Sequence, residues 1–248
     1  MILLLLGDGV AEPGSRVSIR SRISPIGRTH TSSRVVPTLG GVARYYDVHP
    51  QNPQRRTIGQ VVGLLREDGL IVYPTDSGFA LGCRIDAREA VERIKTLRRL
   101  DDRHHFTLVC RDFAQLGHFV EVSNPVFRAV KAATPGPFTF ILPASKEVPR
   151  RLAHPRKRTV GVRIPDNAVV RDLLDELGEP LLSSTLLFPG ETEPPTEGWD
   201  VAERLGTAVD AVLDSGDQVK EPTTVVDLSG AEPEIVRQGA GEERVWRW

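Results

Sequence analysis

Small hydroxyl side chains and arginines recur in short segments that begin or end apolar runs. Thr75-Asp76-Ser77 stands between Pro74 and Gly78, with apolar residues 70–73 before it and 79–83 after it. Comparable segments are Arg98-Arg99-Leu100-Asp101-Asp102-Arg103-His104-His105, Thr134-Pro135-Gly136-Pro137-Phe138-Thr139, residues 158–165 (RTVGVRIP), Ser183-Ser184-Thr185 and Pro222-Thr223-Thr224. Hydroxyls and backbone N–H groups can hold phosphate or carboxylate oxygens without bulk, and a guanidinium adds charge and a planar edge. Each segment also has a plain structural reading. A threonine on a strand packs as a β-branched residue, and residues 75–78 could be a turn whose hydroxyls satisfy nearby N–H groups. The residues alone leave both a pocket floor and a capped turn open.

The elements that would carry these segments alternate from Tyr45 onward. Residues 57–68 hold apolar positions 58, 61, 62, 64 and 65, a helical stripe. Residues 70–73, 79–83 and 106–110 read as strands, and 87–100 as a helix with Ala90, Val91, Ile94 and Leu97 on one side. Asn124 is expected to cap a helix through Ala133, with Pro125 at its favoured first position. Further strands are expected at 138–142, 159–163, 181–184, 209–213, 223–228 and 234–237. Helices are expected at 168–177, ended by Gly178, and at 201–205. The fold class is mixed α/β in one domain of about 200 residues. The irregular order argues against a plain doubly wound sheet. Most of the polar segments then fall at strand ends, where ligands of open α/β sheets bind.

Residues 1–44 are rich in Ser, Arg, Gly and Pro, have no sustained period, and hold only Asp8 and Glu12 as acids. Such composition does not bury a core. They read as a disordered or non-native N-terminal extension to a folded domain over residues 45–248. Met1 is the only methionine, which leaves open a functional start near Val42.

The 248 residues carry a formal net charge of −1 and are 40% hydrophobic, enough for a sizeable core without staples. Bulk charge selects neither a nucleic acid nor a membrane. Its distribution is uneven: Arg150, Arg151, Arg156, Lys157, Arg158 and Arg163 occur with no acid among them, while residues 191–243 carry fourteen Asp or Glu against Arg204, Lys220 and Arg237. Segregation of this kind can present a basic face to an anion. Cys83 and Cys110 each lie in an apolar run and are expected to be buried thiols in a reducing compartment. No stretch reaches the ~18–20 apolar residues that span a bilayer. Residues 1–6 lack the basic start and the length of a signal core. A cytoplasmic location with no membrane partner is expected. There is no P-loop, dinucleotide fingerprint, G-x-S-x-G elbow, C-x-x-C pair or H-E-x-x-H motif. No metal site is expected, and no residue is assigned as a catalytic nucleophile.

In order along the chain, GLIVYPTDSGFALGC (69–83), TPGPFTFIL (134–142), TVGVRIP (159–165), PTTVVDL (222–228) and VRQGAG (236–241) resemble the YrdC/YciO family. Its best-known members are threonylcarbamoyl-AMP synthases. YPTDSG, HHFTLVCRD (104–112) and EVPRRL (147–152) look most like the YciO branch. The resemblance implies a single YrdC-like domain, a twisted mixed sheet with helices around a large positively charged cavity. It implies that L-threonine, bicarbonate and ATP are joined into L-threonylcarbamoyladenylate with release of pyrophosphate, a nucleotidyltransferase-like reaction. That product feeds the N6-threonylcarbamoyladenosine modification of tRNA. Mg²⁺ would accompany ATP, and a basic surface would bind double-stranded RNA or tRNA.

Carried over by position, Thr75, Ser77, Arg163 and Thr223 would line the threonine pocket, with Arg163 offering the carboxylate a bidentate edge. Arg98, His104, Thr159, Thr185 and Arg237 would meet the nucleotide, and Arg156, Lys157 and Arg158 would serve RNA. Such a site works by positioning and by neutralising charge at the α-phosphate. The synthases carry K-x-R and S-x-N, whereas the aligned triplets here are Arg98-Arg99-Leu100 and Thr185-Leu186-Leu187. A lost charge-assisted hydrogen bond costs roughly 1.5–3 kcal/mol, and a lost transition-state donor ~10²–10³ in rate. The expectation is a synthase-like protein of weak or altered activity. The alternative is an RNA- or nucleotide-binding paralogue without synthesis, and a third reading is chemistry on another carbamoylated or adenylylated molecule.

Overall fold

Alternation of side chains along each strand decides which face of the sheet a residue joins. The computed structural model describes residues 43–100, 106–216, 218–219 and 221–242, all within one compact unit. Its strands are β1 (Arg44–Asp47), β2 (Ile71–Thr75), β3 (Gly78–Arg84), β4 (Thr107–Val109), β5 (Phe138–Pro143), β6 (Thr159–Arg163), β7 (Leu181–Thr185), β8 (Ala211–Asp214), β9 (Thr224–Asp227) and β10 (Glu234–Arg237). Its helices are α1 (Arg55–Arg66), α2 (Arg88–Arg98), α3 (Phe113–Phe119), α4 (Asn124–Ala132), α5 (Ala168–Leu177) and α6 (Gly198–Leu205). Among the described residues the strands form one twisted, unclosed sheet in the order β1-β8-β2-β3-β7-β4-β6-β5-β9-β10. β1 and β2 each pair parallel with β8, β4 with β6, and β5 with β9; the other neighbours are antiparallel.

Each face has its own core. Val72, Phe79, Leu81, Leu108, Phe140, Val162 and Leu182 pack with the buried sides of α2, α3, α4 and α6. Ile71, Tyr73, Ala80, Val109, Leu181, Ala211 and Leu213 pack instead with α1 and α5. Those two helices bury stripes at helical spacing, Ile58, Val61, Val62 and Leu65 on α1 and Val169, Val170, Leu173, Leu174 and Leu177 on α5. α1 and α5 pack against each other and over β2 and β3. Farther along this face β7, β4, β6, β5 and β9 present hydroxyls, Gly161 and Arg163 among a few apolar residues, and there a cavity opens.

Several bounds differ from the sequence reading. β1 and α3 carry too little periodic apolar surface to be read from the chain, since each buries one residue, Tyr46 and Leu116. α3 is started by chemistry rather than by pattern: Asp112 accepts the Gln115 N–H at 2.8 Å, and Gln115 accepts the Arg111 N–H at 2.8 Å. Ser123, not Asn124, is the N-cap of α4. α2 stops at Arg98 because Arg99 turns left-handed at φ 51°. Residues 1–42 and 101–105, with His104, lie outside the described residues.

Cys83 and Cys110 are buried free thiols. Burial pushes both up to about 12, so neither is a thiolate at neutral pH. Among the described residues no helix is long and apolar enough to cross a membrane.

Candidate functional site

The uncovered part of the sheet floors a cavity of about 410 Å³, within the ~300–1,000 Å³ of small-molecule sites. β5 shows how the floor arises. Phe138, Phe140 and Leu142 are buried in the far core, while Thr139 and Ile141 are only partly covered and line the cavity. The same alternation supplies Thr107 and Val109 from β4, Gly161 and Arg163 from β6, and Ser183 and Thr185 from β7. Thr107 lies in register with both Gly161 and Ser183, so one row crosses three strands. Tyr73 anchors the row from beside it. Its ring fills the space over Gly82, where a Cβ would come within 2.5 Å of the ring. Its hydroxyl meets Ser183 Oγ at 2.7 Å, and Ser183 Oγ donates onward to Leu81 O at 3.2 Å. Burial raises Tyr73 to about 12, so it stays a neutral donor.

Three guanidinium groups line the cavity, and among the described lining residues there is no carboxylate. Arg163 is only 7% exposed. Its Nη2 donates to Ser77 Oγ at 2.8 Å and to Asp76 Oδ1. Asp76 Oδ2 in turn accepts the Asp166 N–H at 3.1 Å. Arg237 donates from Nη2 to Thr223 O and to Thr223 Oγ1, each at 3.0 Å. Thr223 Oγ1 also lies 3.0 Å from Thr139 Oγ1. Arg98 reaches in from α2, donating from Nη1 to Ser184 Oγ at 2.7 Å.

Desolvation lowers the pKa of all three arginines; Asp76 partly offsets this for Arg163, and the charge of Arg163 adds to it for Arg237. Arg98 Nε and Arg163 Nε are buried without an acceptor. Guanidinium groups stay charged, so these are cations taken from water without full compensation, a cost that a bound anion offsets.

Comparison with known proteins gives this geometry its context. The model of the Sua5/YciO/YrdC family, described as telomere recombination, matches residues 63–239. The chain belongs to this family. It is 45% identical to Escherichia coli YciO over 201 residues, 81% of this chain and 98% of that protein. The crystal structure of E. coli YciO matches with a TM-score of 0.79 at 44% identity, covering 83% of this chain and all of that one. A threonylcarbamoyl-AMP synthase of Vibrio vulnificus is 32% identical over 157 residues, 62% of this chain and 83% of that protein. The structure of P. abyssi Sua5 complexed with L-threonine matches with a TM-score of 0.72 at 26% identity, covering 79% of this chain and 57% of that one.

Of the positions carried over from the Sua5/YciO/YrdC family, Ser77, Arg98, Arg163, Thr185, Thr223 and Arg237 line the one cavity. Thr75 stands behind it. Its Oγ1 donates to Gly78 O at 2.7 Å and accepts the Ser77 N–H at 3.0 Å. The two readings of residues 75–78 therefore divide: Thr75 locks the turn, and Ser77 is the side chain the turn presents. Thr159 is buried outside the lining, with no partner for Oγ1. His104 lies outside the described residues. Arg156, Lys157 and Arg158 sit on an exposed turn, where His154 Nδ1 accepts the Arg156 and Lys157 N–H groups at 3.2 and 2.9 Å. Lys157 Nζ is 3.5 Å from Asp227 Oδ2.

The sequence reading missed Thr107, placed Thr139 and Ser183 in its polar segments without giving either a ligand, and did not see Asp76 as the partner of Arg163. Polar residues at alternate positions of otherwise apolar strands were the available signal for the hydroxyls. The two departures from the synthase motifs also separate. Leu187 lines the cavity. Leu100 instead packs against the core, and its N–H donates to Lys95 O at 2.9 Å.

Proposed function

We propose that this chain is a threonylcarbamoyl-AMP synthase-like enzyme of the cytoplasm, forming L-threonylcarbamoyladenylate from L-threonine, bicarbonate and ATP. The observation that carries this reading is the convergence of Arg98, Arg163 and Arg237, with a floor of hydroxyls, on one cavity. A relative solved with L-threonine and a relative named as the synthase support it. The threonine carboxylate takes the Arg163 end beside Ser77, and the phosphates take Arg98, Thr185 and Arg237.

The threonine nitrogen bonds to the bicarbonate carbon with loss of water. A carbamate oxygen then bonds to the α-phosphorus as the bond to pyrophosphate breaks. The protein's part is positioning and neutralisation of the growing charge. Among the described residues no group of three or more His, Cys, Asp and Glu is placed to hold an ion. Mg²⁺ would accompany ATP on its phosphate oxygens and would supply charge neutralisation there, beside Arg98 and Arg237. Activity is weak because Leu187 presents an apolar wall where the synthases have a donor and acceptor.

The test is pyrophosphate release from ATP, expected to require threonine and bicarbonate together. Release that ignores threonine, or no release at all, sinks the enzyme reading. Leu187→Asn is expected to raise turnover by ~10²–10³; an unchanged rate would show that this wall does not limit synthesis.

A second reading, binding of double-stranded RNA or tRNA, is favoured by the exposed turn at residues 154–158. Lys157 is drawn to Asp227, so Arg156 and Arg158 carry most of the effect. Reversing both to Glu is expected to weaken RNA binding and flatten its salt slope by roughly 2. A salt slope equal to that of the parent chain removes the turn from RNA binding.

A further inference from the structure

A ligand carboxylate approaching Arg163 meets a guanidinium that is partly occupied. Both two-bond edges of a guanidinium, Nε with Nη2 and Nη1 with Nη2, include Nη2. Nη2 has two hydrogens, and here they go to Ser77 Oγ at 2.8 Å and to Asp76 Oδ1. Asp76 is held in turn, because its Oδ2 accepts the Asp166 N–H at 3.1 Å and its side chain is only 14% exposed. Asp76 does not line the cavity, so it acts there through Arg163. Arg98 and Arg237 are different. They donate to neutral oxygens, Ser184 Oγ and the carbonyl and hydroxyl of Thr223. Among the described residues, the cavity thus holds one cation with a built-in counter-charge, and two whose hydrogen-bond partners are neutral oxygens. Arg163 is also the most buried of the three. Stripped of Asp76 it would be the strongest seat for a polyanion, since charge interactions grow as water is excluded.

We propose that Asp76 is a positioning residue that partitions ligands. By neutralising Arg163 it leaves that seat to a singly charged carboxylate, held by the remaining N–H groups, and directs phosphates to Arg98 and Arg237. Without such a counter-charge, pyrophosphate would compete with the small acid for Arg163. This inference rests on the proposed assignment of Arg163 to the acid and of the other two arginines to phosphate.

The test titrates inorganic pyrophosphate and, separately, L-threonine into the full chain by calorimetry. Asp76→Asn is expected to bind pyrophosphate about tenfold more tightly than the parent chain, and Asp76→Glu, which restores the charge, within about threefold of it. Pyrophosphate binding by a folded Asp76→Asn that is no tighter than the parent's overturns the proposal. If Asp76→Asn does not fold, the neutral pair Asp76→Asn/Arg163→Gln decides. Its pyrophosphate affinity is expected within about threefold of the parent's, and a tenfold loss would mean that Arg163 holds polyanions even beside Asp76. Failure of the parent chain to bind threonine would count against the proposed function, and the pyrophosphate comparison would still decide the role of Asp76.

Discussion

Arg163→Gln is expected to abolish threonine-dependent pyrophosphate release and to lower stability by about 3–5 kcal/mol, the usual cost of removing one partner of a buried ion pair. Arg163 is 7% exposed, and its guanidinium holds Asp76 Oδ1 and Ser77 Oγ. A glutamine amide is too short to reach both and carries no charge, so Asp76 is left buried beside Arg163's former place. For a domain of this size the melting temperature should fall by roughly 6–20 °C. Asp76→Asn/Arg163→Gln removes the stranded charge and should recover much of that loss, while synthesis stays absent. The two readouts separate fold from function. A folded Arg163→Gln that turns over at the parent rate removes this residue from the site.

Gly239→Ala is expected to disturb the opposite wall. Gly239 follows β10, where its N–H donates to Thr224 Oγ1 at 2.9 Å. A Cβ there would lie 2.1 Å from Pro222 O and 2.6 Å from the carbonyl carbon of Thr223. These are backbone atoms and have no rotamer to move into, so the segment after β10 must lift away from the start of β9. Arg237 then loses its grip on the Thr223 carbonyl and hydroxyl, and both residues line the cavity. Overpacking costs about 1–3 kcal/mol, with the upper end expected against backbone. For a nucleotide held by Arg237, as proposed, loss of one charged hydrogen bond adds a roughly tenfold loss of ATP affinity. Gly230→Ala serves as the control, because its nearest contact would be an ordinary 3.6 Å to Glu232 O. Equal melting temperatures and ATP titrations for the two variants would refute this account of the wall.

How much of this was legible in the chain differs from element to element. α5 and its end at Gly178 were fully readable, because five apolar positions at helical spacing meet a residue that adopts φ 81° without strain. β6 and β10 were read to the residue. β1 was not, since it rests on pairing with β8 rather than on its own alternation. The hydroxyl floor was half legible. Alternation says that Thr139 and Ile141 share a face, but not whether a helix covers it.

The sequence by itself determined the two periods, the helix end at Gly178, and the set of polar segments whose order marks the family. Those are local properties, fixed by residues within a few positions of one another. Only the tertiary structure decided which of those segments meet. Ser183 lines up with Thr107 across a strand pair, Arg163 finds Asp76 from 87 positions away, and α1 and α5 cover one end of their face and leave the other open. Strand register and helix placement follow from burying both faces of one sheet at once, and no local window contains that condition.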